Sequence, residues 1–137
     1  MSLYEQDFYQ WTIEQANLLK AGALGQLDVT NLIEEMESMG RSEKKELVNR
    51  LVVLIAHLLK WDYQPERRGW SWDLTIREQR LKLADHLFDN PSLKAVLGDA
   101  IISAYRQAIL KAMRETRLCE SAFPESCPYT IEQIMGE

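Results

Sequence analysis

No stretch of this chain is apolar for long enough to cross a membrane as a helix. A spanning helix needs roughly 20 consecutive apolar residues, and the best run, Leu51 to Leu59, contains His57 and stops at Lys60. The N-terminal MSLYEQDFYQW lacks a basic stretch followed by an apolar one, so no secretory leader is expected and the cytoplasm is the expected compartment. Cysteine is scarce. Cys119 and Cys127 are too far apart for a zinc knuckle or a CxxC redox pair, and two reduced thiols are the simplest reading. Period-two alternation is missing throughout, which argues against sheet. A GxSxG elbow is absent, and Gly22 and Gly25 lack the lysine and spacing of a phosphate-cradling loop. With no internal repeat, low-complexity tract or linker, residues 1–137 read as a single helical domain large enough for one core.

Acidic charge is plentiful but uneven. Residues 1–40 hold seven acids against Lys20 alone, whereas residues 41–80 hold nine bases against six acids. The overall charge of −5 makes an acidic helix lying beside a basic one a better account than a surface for a polyanion.

What is present is helical periodicity. Phe8, Trp11, Gln15, Leu18 and Leu19 recur at helical spacing from Tyr4 to about Ala21, where Gly22 and Gly25 end the pattern. Asp28 is a good N-cap for a long second element running to just before Pro65. Gly40 interrupts it, but an isolated glycine costs only about 1 kcal/mol in a helix, so one kinked helix and two separate ones fit equally well. Pro65 and Gly69 bracket a turn, and Ser71 is the expected N-cap of a third helix carrying Leu74, Arg77, Leu81, Ala84 and Leu87/Phe88. Pro91 marks the first turn of a fourth helix, with Leu93, Leu97, Ile101, Ala104, Tyr105 and Ala108 on its apolar side. The tail after Arg117 carries two prolines and should be extended, closing on a short helical turn capped by Thr130 and Gln133. The expected fold is all-α: an antiparallel helical bundle of about four main helices whose tail packs back across them.

The richest stretch for function is His57 to Arg80, where Trp61, Tyr63, Trp70 and Trp72 lie among five bases and four acids around Pro65. Counting outward from that turn pairs His57 with Glu78, Trp61 with Leu74, and His86 with Val48. A histidine–carboxylate pair can act as general base; the plainer account is a histidine at the rim of the core, bonded to a neighbour. Glu34, Glu35 and Glu37 suggest a di-metal carboxylate site, but neither histidine follows a glutamate by three residues, so no metal and no cofactor are expected. Tryptophan with interleaved arginine can stack bases or anchor a protein partner. It can also staple the hairpin internally, with Arg67, Arg77 and Arg80 paired to nearby acids.

Five segments carry a resemblance: LYEQDFYQW at 3–11, LDVTNLIEEMESMGRSE at 27–43, HLLKWDYQPERR at 57–68, SWDLTIREQR at 71–80 and FPESCPYTIEQI at 123–134. In this order they resemble the bacterial domain-of-unknown-function family numbered twenty-nine. The resemblance implies an all-helical single domain with no agreed activity to transfer. It implies shared positions at His57, Lys60, Trp61, Gln64, Pro65, Arg68, Ser71, Trp72, Gln79 and Arg80, with Glu34 and Glu35. The chain departs from that pattern at Gly69–Trp70, which favours a partner surface over nucleic acid.

The expectation is a small binding or interaction module rather than an enzyme, working through the turn at residues 61–80. Its candidate binding residues are His57, Lys60, Trp61, Gln64, Arg67, Arg68, Trp70, Trp72, Gln79 and Arg80. The tryptophans would supply apolar contact, while Arg67, Arg68 and Arg80 would orient an anionic group. A protein partner or anionic ligand comes before nucleic acid, no membrane is expected, and the broad stripe on the fourth helix leaves room for a dimer. The rival is a hydrolytic or nucleic-acid-processing enzyme with His57 as base and Glu34, Glu35 or Glu78 orienting it.

Overall fold

A computed structural model describes residues 1–137, and every regular element in it is a helix, six of them α-helical and four of those long. The chain divides into two compact units, Met1–Ser42 and Glu43–Glu137.

In the first unit the single helix expected from Tyr4 to Ala21 is two, α1 (Leu3–Gln6) and α2 (Phe8–Lys20). Asp7 divides them: its backbone leaves the helical region and its carboxylate accepts from the Gln10 amide at 3.0 Å, capping α2. Tyr4, Phe8 and Trp11 cluster edge-on and stacked. Trp11 is buried, and its indole N–H donates to Asp28 Oδ2 at 3.0 Å. α2 ends at Lys20, and Gly22 just beyond it has a φ of +71° that lets its amide and that of Ala23 turn back onto the carbonyls of Leu19 and Leu18. Asp28 caps the next helix as expected, accepting from Asn31 Nδ2 at 2.8 Å and more weakly from the Asn31 amide. That helix, α3, runs without interruption from Val29 to Tyr63, so Gly40 ends nothing.

In the second unit α3 continues and is followed by a 3-10 turn at Pro65–Arg67, α4 (Trp70–Asp89), a 3-10 turn at Pro91–Val96, α5 (Leu97–Thr116) and α6 (Ile131–Met135). α4 runs antiparallel to α3, since His86 meets Glu43 while Trp72 meets Lys60. α5 runs parallel to α3, with Thr116 beside Gln64 and Ala100 facing the same cleft as Leu47. The core fills the space between them with Leu47, Leu51, Leu54, Ile55, Leu59, Leu83 and Ala104, all fully enclosed. The tail packs back as expected: Phe123 and Ile134 are buried, and α6 carries the Thr130–Gln133 capping box.

Three local expectations are corrected. Ser71 is not the N-cap of α4; Gly69 is, and Trp70 becomes the first helical residue. Pro91 opens a 3-10 turn that seats Leu93 in the core, and the α-helix begins only at Leu97. The side of α4 carrying Leu74, Leu81 and Phe88 faces out, while Ile76, Leu83, His86 and Leu87 are buried.

Candidate functional site

The residues singled out around the α3–α4 turn fall into an inner and an outer group. Lys60 is the centre of the inner one. It is 4% exposed, and an ammonium so enclosed needs a partner. Nζ donates to Glu115 Oε2 from α5 at 2.7 Å, lies 3.3 Å from His57 Nε2, and sits 4.9 Å from the centre of the Trp72 ring. His57 is half-buried and its Nδ1 lies 2.8 Å from the Val53 carbonyl one turn earlier. A carbonyl only accepts, so the hydrogen is on Nδ1 and Nε2 is left to accept from Lys60. Gln64 is buried, donating at 3.4 Å to the Thr116 carbonyl, while its Oε1 and that of Gln79 have no hydrogen-bond partner.

The pairing expected across the hairpin is displaced along α3. His57 does not meet Glu78, which is ion-paired to Lys82 at 2.6 Å and feels the charge of Arg50. His86 lies beside Glu43 and Glu46 rather than Val48. The last turn of α3 overhangs the start of α4, because the chain doubles back through Pro65–Arg67 before α4 begins alongside Lys60. Glu34 and Glu35 lie in the first unit, where Glu34 pairs with Arg41 at 3.1 Å and Glu35 accepts from the Tyr4 hydroxyl.

The outer group begins at the turn. Arg68 Nε donates to the Trp61 carbonyl at 2.6 Å and its guanidinium covers the half-buried Trp61 ring at 5.2 Å. Arg67 is exposed and makes no ion pair. Arg80 turns away, donating to the carbonyls of Ile134 and Gln133 in α6. Trp70 is 78% exposed, and it heads a row: Leu74 at 46%, Leu81 at 68% and Phe88 at 84%. At 3.6 residues per turn these four side chains fall within about 40° of one another along roughly 27 Å of helix. α4 is therefore apolar on two opposite sides, one in the core and one facing solvent.

A third grouping was not foreseen. Glu43 and Glu46 share a face of α3 and meet His86 of α4 across an open groove of about 550 Å³, which Arg50, Lys82, Asp85, Asp89 and Asn90 complete. One ligand atom from each of Glu43, Glu46 and His86 lies within 4.8 Å of the other two.

A family model described as "Domain of unknown function DUF29" matches residues 3–137. The chain belongs to that family. No curated protein and no solved structure matches it. The DUF29 description brings no activity with it, so the site chemistry rests on the geometry alone. No helix of this DUF29 chain is long and apolar enough to cross a membrane.

The inner group makes a pH prediction. Burial pushes the His57 pKa below its usual 6.5, and the Lys60 ammonium pushes the same way, against the Val53 hydrogen bond and the Glu115 charge. The unfolded imidazole takes up its proton near 6.5 while the folded one resists, so the unfolded state binds more protons in that window. The stability His57 contributes is complete above that pH and is lost as pH falls through it. Urea unfolding from pH 7.5 to 5 should show a downward slope that His57→Gln flattens; an unchanged slope in the variant would mean other groups carry it.

Proposed function

We propose that this protein is an interaction module whose docking face is the outer side of α4, and that its occupant is an amphipathic helix of a partner protein. The observation that carries this is the exposed row Trp70, Leu74, Leu81 and Phe88. A helix apolar on both sides has a second side to cover, and contiguous exposed apolar patches mark interaction sites. Leu74, Leu81 and Phe88 recur every seven residues, which sets them in one line along the helix for a partner helix to lie against. The turn adds polarity to the reading. Arg67, exposed and without an ion pair, lies beside the Trp70 end and favours an acidic group at the matching end of the partner helix. Tryptophan and arginine are the commonest anchors of such interfaces. The row carries acids as well as bases along its flanks, with Asp73 paired to Arg77 and Glu78 to Lys82, which favours protein over nucleic acid. The reading with His57 as general base draws no support from its surroundings, since both ring nitrogens face internal partners.

The test is photo-crosslinking in host cells, with benzoylphenylalanine installed at position 81, at position 88, or at the exposed control Lys94. The expected result is one protein captured from 81 and 88 but not from 94, through a peptide with apolar residues at seven-residue spacing. With that protein purified, Trp70→Ala should weaken binding by about thirtyfold, as loss of a tryptophan anchor does. Leu81→Ser, on an exposed side, should leave folding stability within about 0.5 kcal/mol. Crosslinks only to a second copy of this chain, to nucleic acid, or to nothing would overturn the reading.

A further inference from the structure

The groove between the middle of α3 and the C-terminal end of α4 holds a different chemistry. Glu43 and Glu46 lie three residues apart in α3 and so project from one face of it. His86, in the last turn of α4, brings its imidazole up to both and is 7% exposed. Its Nε2 lies 2.9 Å from the backbone carbonyl of Glu43. That carbonyl can only accept, which puts the hydrogen on Nε2 and, in the neutral ring, leaves a lone pair on Nδ1. Nδ1 makes no hydrogen bond and faces Glu46 Oε2 at 3.5 Å, while Glu43 Oε2 is 3.6 Å from Nε2, on the side of the ring that carries the hydrogen. A nitrogen lone pair turned towards the Glu46 carboxylate oxygen is unfavourable unless something positive lies between them, and a Glu43 ligand atom lies within 4.8 Å of both residues.

The surroundings hold these groups in place. Glu46 Oε1 accepts from Arg50 Nε at 3.1 Å and Nη2 at 2.8 Å, which leaves Oε2 turned towards the ring. Asn90 Nδ2 donates to Glu43 Oε2 at 3.4 Å and to the His86 carbonyl at 3.1 Å. Lys82, the other cation of the groove, is engaged by Glu78. An imidazole whose second nitrogen is tied to a backbone carbonyl, beside carboxylates tied by their own donors, is the outer-shell pattern of a metal ligand set.

We propose that Glu43, Glu46 and His86 bind a divalent transition-metal ion of the zinc class, with water from the open groove completing its coordination. Calcium is a poorer fit because it takes six to eight oxygen ligands, and magnesium because it favours oxygen; an imidazole nitrogen with two carboxylates suits zinc. The ion joins α3 to α4 and therefore stabilises their packing on binding.

The test is calorimetric titration of the full chain with zinc chloride at pH 7, in a Cys119→Ser/Cys127→Ser background so that the thiols cannot compete. The expected result is one ion per chain, a zinc-dependent rise in melting temperature, and a change in the histidine ¹⁵N spectrum at His86 Nδ1 but not at His57. Glu43→Gln and Glu46→Gln should each weaken zinc at least tenfold, the order of loss seen on disturbing a metal's ligand environment. Their side chains are close to half exposed, so both variants should fold, as their far-UV circular dichroism will show. His86→Ala, being a core substitution, is the less informative variant. The inference is overturned if millimolar zinc produces neither heat nor a His86 signal change, or if both glutamine variants bind as the parent does. It is also overturned if His86 carries both ring protons at pH 7 and zinc leaves it so, since an imidazolium shared by the two carboxylates would then fill the role given to the metal.

Discussion

Replacing Glu115 with glutamine is expected to destabilise the fold by about 3 kcal/mol, in the range for removing one partner of a buried ion pair. Lys60 is enclosed by α3, α4 and α5, and Glu115 is the one carboxylate that reaches its ammonium, at 2.7 Å. Without it the charge is left with the His57 Nε2 lone pair and the Trp72 face, neither of which replaces an ion pair. The reverse substitution should cost less. Lys60→Met keeps the aliphatic stem against Trp72, and the Glu115 it leaves behind is 38% exposed and still has Lys111 at 3.5 Å. A loss of about 1 kcal/mol is expected there, the scale for partners that stay solvated. The double variant should recover most of the Glu115→Gln loss, because its buried charge has gone along with its partner. Urea denaturation of the four proteins at pH 7 gives the coupling directly. Equal losses for the two single variants, or a coupling under about 0.5 kcal/mol, would mean that Lys60 reaches solvent and that the inner group is no more than a surface bridge.

That network also shows which parts of the molecule a one-dimensional reading can reach. The Asp28 cap, the Thr130–Gln133 box and the burial of Ile101, Ala104 and Ala108 are local matters, set by side chains within a turn of each other or by one helical stripe. They were legible. Gly40 was undecidable, since its cost of about 1 kcal/mol is small against a helix continuing on both sides. Asp7 misled because its capping of α2 competes with helix continuation through a single side-chain hydrogen bond, and the apolar spacing runs on regardless. α4 misled for a different reason. It has two apolar stripes on opposite sides, and periodicity says that both exist without saying which one meets the core.

Register was the costlier omission. Chain reversal at Pro65 was correctly placed, but how far α3 overhangs α4 depends on the path of Gln64 to Gly69, which no spacing rule specifies. A shift of two to five residues along α3 took His86 from Val48 to the two glutamates, and Glu78 does not reach His57 but pairs with Lys82. The Glu43–Glu46 pair was visible in the sequence as a Glu-x-x-Glu on one helix face. What was missing was the knowledge that an antiparallel neighbour would bring a histidine to it. Glu115 was missed likewise, because nothing near it in sequence marks it as the counter-ion of a lysine on another helix.

Arg80 is where the two kinds of role expected of an arginine part company, and its replacement by glutamine should cost about 2 kcal/mol, the scale of hydrogen bonds to a charged donor. Its Nε donates to the Ile134 carbonyl at 3.0 Å and its Nη2 to the Gln133 carbonyl at 2.9 Å. Those carbonyls belong to the end of α6, a helix of five residues, which is too short to persist alone and has end carbonyls with no partner of their own. The guanidinium supplies both the hydrogen bonds and a positive charge at the negative end of the helix. Ile134, 1% exposed, then holds α6 in the core. Gly136 completes the arrangement: its φ is +79°, and a Cβ there would lie 3.0 Å from the Arg80 side chain. Arg80→Gln should lower the urea midpoint and speed amide exchange at Ile134 and Met135, while the amides of α3 stay protected. Arg67→Gln, at an exposed and unpaired position, should leave stability within about 0.5 kcal/mol but weaken capture of the partner helix. Should Arg80→Gln instead leave α6 protected and reduce partner capture, Arg80 would belong with Arg67 at the docking face, and the tail would be held by Ile134 alone.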